Sequence, residues 1–309
     1  MIGTITLNPS IDTHWIVDDF VKDDTNRARQ VIETPGGKGI NVSKVVRELG
    51  GKTRAYALLG GFAGERLKEL VVPLNFPLTS VSIRGLTRIN IIISDVKDGT
   101  QSRVSAPGPH VSDAEVQNFL GHLCAARPRP DWWVFGGSLP RGLAPSVYFD
   151  LIKSLQAQGA FCVLDADGES LKQGVKAKPF MIKPNEFEMH RLCGRRLISL
   201  KEYAQEASKI VRRGIRLVVV SLGPKGALFV SEDQAIHITP PDVKVRSQLG
   251  AGDSLIGGFL RGLQRKMSIR ESAKIGVAAS VSAVMREAPR LCRRIDIPAI
   301  LNRLRVREI

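Results

Sequence analysis

The sequence predicts an α/β fold: a mostly parallel central sheet flanked by helices, with a small β-sheet lid. Three observations predict it. Apolar runs rich in β-branched residues alternate with segments of helical period, the pattern of repeated β–α units. Glycine and polar clusters recur where strands should end, at Gly60-Gly61, Gly136-Gly137-Ser138, Asn185 and Ser221-Leu222-Gly223. Parallel sheets of this kind bind ligands at those carboxyl ends. Two segments break the rhythm with period-2 alternation and turn signals such as Asp98-Gly99.

The elements follow in order. "GTITLN" reads as the first strand. "GKGINVSKVVRELGG" spaces Ile40, Val42, Val45, Val46 and Leu49 as an amphipathic helix closed by Gly50-Gly51. "RAYALLGG" and "GERLKELVV" give the next strand and helix, and "DWWVFGGS" a strand ending in glycines. "SVYFDLIKSLQAQG" and "AFCVLDADG", then "FMIKPN" and "EFEMHRLCG", then "KEYAQEASKIVRRG" and "LVVVSLG" continue the alternation. The end reads as helical, with "SLIGGFLRGLQRK" and "IRESAKIGVAASVSAVMRE". The interruptions, about 10–35 and 81–108, read as short antiparallel strands that pair as a small sheet over the site. The expected division is therefore an α/β body of 1–9, 36–80 and 109–309, and a lid of 10–35 and 81–108.

Bulk properties narrow the function. The chain has 309 residues, enough to bury a substantial core. Hydrophobic content of 43% and charged content of 24% are those of a globular protein. No apolar run reaches the roughly 18 residues a membrane span needs, so no membrane role is expected. "MIGTITLNPS" carries no basic leader, and a cytoplasmic location is expected. Cys124, Cys162, Cys193 and Cys292 are scattered, which speaks against zinc and disulfides. Cys162, within "AFCVLD", is expected in the core. The net charge of +15 raises nucleic acid as a partner. With 6% aromatic residues and no finger, homeodomain or RNP pattern, a site for polyanionic small molecules is the preferred explanation.

Several stretches carry chemistry. "LGAGDSLIGGFLRG" sets Asp253 after two glycines and before a helical run. Such a turn can simply cap a helix. It can also present backbone N–H groups and the helix dipole to an anion. A carboxylate there repels a phosphate, but it is well placed to take a proton from a hydroxyl that attacks one. "PGGKGIN" puts three glycines around Lys38 directly before a helix. It is either a plain turn or a close backbone approach to a phosphorylated, hydroxylated ligand. "KPNEFE" spaces Asn185 and Glu188 as a capping box, or as a carboxylate held toward a metal–triphosphate. Asp12 closes "LNPSID", where it is a turn residue or a sugar-hydroxyl acceptor. Arg88, in "TRINIII", is an edge-strand charge unless the lid turns it inward. His14, His110, His122, His190 and His237 show no metal spacing.

Other templates fail. Gly51-Lys52-Thr53 would need glycine at Val46 to be a P-loop. No dinucleotide fingerprint follows the first strand, which argues against an NAD-linked oxidoreductase. "GGSLP" misses the hydrolase elbow because Pro140 replaces its last glycine, and no protein-kinase signature is present.

Taken together and in this order, "GGKGINVSKVVRELGG" and "SQLGAGDSLIGGFLRG" resemble the two signatures of the ribokinase-like phosphofructokinase B family. The resemblance covers essentially the whole chain. "TLNPSID", "TRINI", "GGSLPRG", "VVVSLGPKGAL" and "LGAGDS" point to its hexose-phosphate branch of minor 6-phosphofructokinases, 1-phosphofructokinases and tagatose-6-phosphate kinases. The resemblance implies Asp253 as general base, with the N–H groups of Gly250, Ala251, Gly252 and Asp253 holding the charge of the transferring phosphoryl group. It implies Asp12, Gly37, Gly39 and Asn41 on the sugar, and Arg27, Lys38, Arg88 and Ser138 on its phosphate. Lys183, Asn185, Ser221 and Gly223 would line the ATP site, with Asn185 and Glu188 positioning Mg²⁺ through water. The excursions match the family's lid, which implies a homodimer through that lid.

The implied reaction is ATP-dependent phosphorylation of a ketohexose monophosphate. Fructose 6-phosphate stands first, fructose 1-phosphate second and tagatose 6-phosphate third. The different-class alternative is a basic nucleic-acid-binding protein. Lys38 is more typical of the 1-phosphofructokinase and tagatose types, while "VVVSLGPKGAL" and "PRLC" lean to the minor 6-phosphofructokinase. Potassium is a further implied ion, near Ser247, Leu249, Ala283, Arg286, Ala288 and Arg290. Arg286 stands where the close relatives carry asparagine.

Overall fold

The computed structural model describes residues 1–309. β1 (Ile2–Thr6) starts the large sheet, and β2 (Ser10–Val17) and β3 (Gln30–Gly36) leave it at once. The chain returns through α1 (Lys38–Glu48), β4 (Thr53–Leu59), α2 (Gly61–Val71) and β5 (Leu78–Ser82). A second excursion makes β6 (Arg88–Asp95) and β7 (Gln101–Val104). Regular alternation follows: α3 (Asp113–Cys124), β8 (Trp132–Gly136), α4 (Val147–Gln156), β9 (Phe161–Asp165), α5 (Gly168–Val175), β10 (Met181–Ile182) and α6 (Glu186–Cys193). Then come α7 (Leu200–Arg212), β11 (Leu217–Ser221), β12 (Ala227–Val230) and β13 (Ala235–Thr239). The last elements are α8 (Ala251–Gln264), α9 (Ile269–Val284), α10 (Ile297–Leu301) and β14 (Arg305–Glu308).

Ten strands form one sheet in the order β14-β13-β12-β11-β10-β9-β8-β1-β4-β5. It is parallel from β11 to β5, and its β11–β14 end is antiparallel. Alternation along the central strands feeds two cores. Cys162, Leu164, Val218 and Val220 face one core, with Phe119 of α3 and Tyr148 of α4. Val163, Leu217 and Val219 face the other, with Val45 of α1, Phe259 of α8 and Ala278 of α9. Strands buried on both faces read as unbroken apolar runs, which is why "LVVVS" was so legible. Cys162 lies in the core as expected.

Three expectations are corrected. Val81 and Ser82 belong to the large sheet, because β5 pairs in parallel with β4. The small sheet, ordered β3-β2-β6-β7, is not purely antiparallel: β2 and β6 run parallel, Asp12 beside Asn90. Each excursion leaves the body in the same direction, so their first strands meet side by side in one sense. The chain does not end in a helix, since β14 pairs with β13 and closes the sheet edge. No helix is long and apolar enough to cross a membrane.

Helix α8 carries the signature loop and crosses α9 closely. A Cβ on Gly258 would lie 2.8 Å from both Ile275 O and the Cβ of Ala279. Gly258→Val is therefore expected to destabilise the fold by about 1–3 kcal/mol by forcing α8 from α9. Urea unfolding measures this; an unchanged midpoint would mean that the crossing has slack.

Candidate active site

The carboxyl ends of the parallel strands, the start of α8 and the inner face of the small sheet enclose a cleft of about 990 Å³. Its two ends differ in chemistry. Asp12, His14, Lys38, Asn41, Lys44, Arg88 and Arg103 line the end under the lid. Val243, Val245, Val277, Val281 and Leu291 line the other, beside Ser221, Gly223 and Pro224.

Asp253 lies in the first turn of α8, whose N-cap Gly250 adopts φ 75, the left-handed region that favours glycine. The first N–H groups of a helix lack intrahelical partners. Here that of Ala251 reaches Gln248 O at 3.4 Å. The Asp253 side chain is 7% exposed, yet it lines the cleft. Asn41 Nδ2 donates to its Oδ2 at 2.8 Å. Burial, and then the negative charge of Asp165, push its carboxyl up to about 6.

Asp165 was not foreseen as a site residue. It ends β9, and Lys38 Nζ and Lys183 Nζ approach its Oδ1 at 3.1 and 3.3 Å. Burial would raise its carboxyl, but the two ammonium groups outweigh that and hold it below its ordinary value. Burial likewise opposes the charge on Lys38, and Asp165 reverses the effect and holds the ammonium above its usual range. Lys183 reaches over the start of α8, where a Cβ on Gly252 would stand 3.3 Å from its Nζ. Lys183 therefore stands over the start of α8, and Asp165 is the shared counter-ion of Lys183 and Lys38.

Most of the residues expected on the sugar and its phosphate meet under the small sheet. Ser10 Oγ and Asn90 Nδ2 each donate to Asp12 Oδ1 at 2.7 Å. Arg88 donates from Nη1 to Ala106 O at 2.9 Å and from Nη2 to Asn8 O at 3.0 Å. It is thus no solvated edge charge. Burial lowers its affinity for the proton, and its Nε is buried without a partner. Asn8 Nδ2 donates to Ser138 Oγ at 3.2 Å. Gly37 lines the cleft, whereas Gly39 is packed against β1, where a Cβ would strike Ile5 O and so displace Asn41. Arg27 is different: it is exposed in the β2–β3 loop and does not line the cleft of its own chain. The sequence reading also missed Asn8, Ser10, His14, Lys44, Asn90 and Arg103. Period-2 spacing from Asp12 could have found His14, and from Arg88 it could have found Asn90.

Asn185 and Glu188 form the capping box: Asn185 N donates to Glu188 Oε2 at 2.8 Å and Glu188 N to Asn185 Oδ1 at 2.9 Å. Both also line the cleft. Burial, then Asp165, raise the Glu188 carboxyl. No group of three or more His, Cys, Asp or Glu comes together as a metal cage. Magnesium does not need one, because it keeps waters and takes one or two carboxylates. Glu188 fits that demand.

Few of the side chains at the implied potassium position can act as ligands. The Arg286 guanidinium pairs with Asp296 at 2.6 Å, and Ser282 Oγ donates to the same oxygen at 2.6 Å. Ser247 is the one side chain with an oxygen among the six implied residues, and its Oγ accepts from Leu249 N at 3.2 Å. Guanidinium groups are donors only and supply no ligand to a cation.

The chain is 32% identical over 287 residues to the 1-phosphofructokinase of Bacillus subtilis (strain 168), covering 93% of each. It is 34% identical over 301 residues to the ATP-dependent 6-phosphofructokinase isozyme 2 of Escherichia coli (strain K12), covering 97% of each. The solved structure of phosphofructokinase-2 from Escherichia coli in complex with potassium matches with a TM-score of 0.93 at 33% identity over 98% of both chains. A family described as pfkB family carbohydrate kinase matches residues 1–295. The chain, with its mostly parallel sheet, small lid sheet and glycine-flanked Asp253, belongs to the pfkB family of carbohydrate kinases.

Proposed function

We propose that the chain transfers the γ-phosphoryl group of ATP to a ketohexose monophosphate, with fructose 6-phosphate as substrate and fructose 1,6-bisphosphate as product. One observation carries the reading: two buried carboxylates in one cleft are pushed in opposite directions, Asp165 down and Asp253 up. Such pairs mark a charge-holding role and a proton-accepting role. The relatives' names support a phosphorylated sugar, and the cationic lid end fits its extra charge of about two. Fructose 1-phosphate is the second reading, favoured by the Bacillus subtilis relative and by Lys38 within the glycine-rich stretch.

In this reading Asp253 takes the proton of the acceptor hydroxyl as that oxygen attacks phosphorus. Asn41 occupies one carboxylate oxygen and leaves the other for the proton. The N–H groups at the start of α8, with Lys183 above them, hold the charge that grows on the transferring group. Asp12 with Asn90 orients sugar hydroxyls, while Arg88, Lys38 and Ser138 face the sugar's own phosphate. Asn185 and Glu188 would hold magnesium, which neutralises triphosphate charge when bound. Ser221 and Gly223 border the nucleotide's end of the cleft. No step runs through potassium.

The lid's outer face supports a homodimer. Trp15, Val31, Ile91 and Val104 share it and are 40%, 53%, 37% and 62% exposed. An exposed apolar patch of this kind marks an interface. Ile91→Asp is expected to halve the mass seen by light scattering; a variant of parent mass would move the interface elsewhere.

The catalytic reading is tested by ADP release across fructose 6-phosphate, fructose 1-phosphate and tagatose 6-phosphate. Fructose 6-phosphate is expected to give the highest kcat/KM. Asp253→Asn should lose on the order of 10² to 10⁴ in kcat while still binding ATP. Because burial makes ionised Asp253 unfavourable, its stabilising contribution is lost as pH rises through about 6. The same variant should therefore melt no lower than the parent at pH 7. Parent-like kcat in this variant would remove Asp253 as the base.

A further inference from the structure

Lys44 has no part in the roles above, yet it borders the cleft beside Asp12, Asn41 and Asp253. It lies one turn beyond Asn41 on α1. Its Nζ donates to the carbonyl of Pro35, near the end of lid strand β3, and to Asn41 Oδ1 at 3.3 Å. The Asn41 amide in turn donates from Nδ2 to Asp253 Oδ2 at 2.8 Å. We infer that Lys44 is a positioning residue that ties the end of the lid strand to the Asp253 carboxylate through the Asn41 amide. The inference rests on Asp253 being the base.

The chemistry of the three groups fixes the direction of the chain of bonds. An ammonium only donates, so it can meet only the oxygen of the amide. The amide nitrogen is then turned to Asp253, which fixes one carboxylate oxygen. An apolar side chain at 44 would leave the amide oxygen without that partner and the amide free to rotate. The bond to Pro35 adds a second condition, because the ammonium is held where it is only while the end of β3 stands over α1. A lid strand displaced from α1 would release Lys44, and with it the orientation of the base.

The ammonium stays charged near neutral pH although its surroundings weaken its hold on the proton. Burial pushes Lys44 down to about 8, against the pull of Asp12 and Asp253. His14 of β2 also faces it, and Arg103 of β7 stands beyond Asp12. On its other side Arg47, Glu48, Cys292 and Arg294 line a second cavity that Lys44 also borders. Lys44 is thus a cation near Asp253, and its removal should make the carboxyl harder to ionise.

Lys44→Met and Lys44→Arg, measured beside Asp253→Asn, test this. Lys44→Met is expected to lower kcat on the order of 10- to 100-fold with the KM for ATP unchanged. The acid limb of its kcat–pH profile should move to higher pH. Lys44→Arg keeps the charge and the donors and should restore the parent limb. If Lys44→Met does not fold, as judged by thermal melting, Lys44→Gln takes its place against Lys44→Arg. A neutral variant with parent kcat and parent limb overturns the inference. When Asp253→Asn is crippled in the same series, only the role of Lys44 has failed. When Asp253→Asn is as active as the parent, the reading of the base has failed.

Discussion

Asp165 lies between two ammonium groups, Lys38 and Lys183, at the carboxyl end of β9, close to the start of α8. Lys38, Lys183 and Asp165 by themselves carry one net positive charge, and Lys183 brings its ammonium to the first turn of that helix. A negatively charged phosphoryl group is favoured there. The same Asp165 charge reaches Asp253 and, with burial, keeps that carboxyl from ionising as easily as one in water. One buried carboxylate thus holds two ammonium groups in place and raises the carboxyl of its neighbour. Removing it would leave buried cations unpaired, which is costly in a dry site.

The fold brings these groups together because the chain returns repeatedly to the carboxyl end of the parallel strands. Asp165 ends β9, Lys183 follows β10, and Lys38 and Asn41 begin α1 after the first excursion. α8 then lays Asp253 among them. The lid supplies the remaining wall. Its period-2 strands turn Asp12, His14 and Arg103 toward the cleft, bury Asn90 on the same side against Asp12, and turn Trp15, Val31 and Ile91 away. The proposed exclusion of water and the proposed association of two chains thus fall to opposite faces of the same four strands. Water excluded by the lid cannot compete with the sugar for the phosphoryl group.

Much of this was legible in the residues. The central strands and helices were plain because both periods were strong, as in "LVVVS" and "KEYAQEASKIVRR". Asp253 was legible because glycines and a helical run surround it. Asp165 was not, because "VLDADG" ends like any strand, and its two lysine partners come from other strand ends. The parallel pairing of β2 with β6 was hidden as well: period-2 spacing reveals a strand but not the direction of a partner about eighty residues away. β14 lay in a basic stretch whose charges disguise a short edge strand. Arg27 carried no local sign of where its loop would stand.

The central claim, that Asp253 is the proton acceptor in a setting that raises its carboxyl, is tested most directly by the pH dependence of kcat at saturating ATP and sugar phosphate. An acid limb centred near pH 6 is expected, with activity falling as Asp253 is protonated, and no such limb in the residual rate of Asp253→Asn. A parent profile that stays flat down to the ordinary carboxylate range near pH 4 would contradict it.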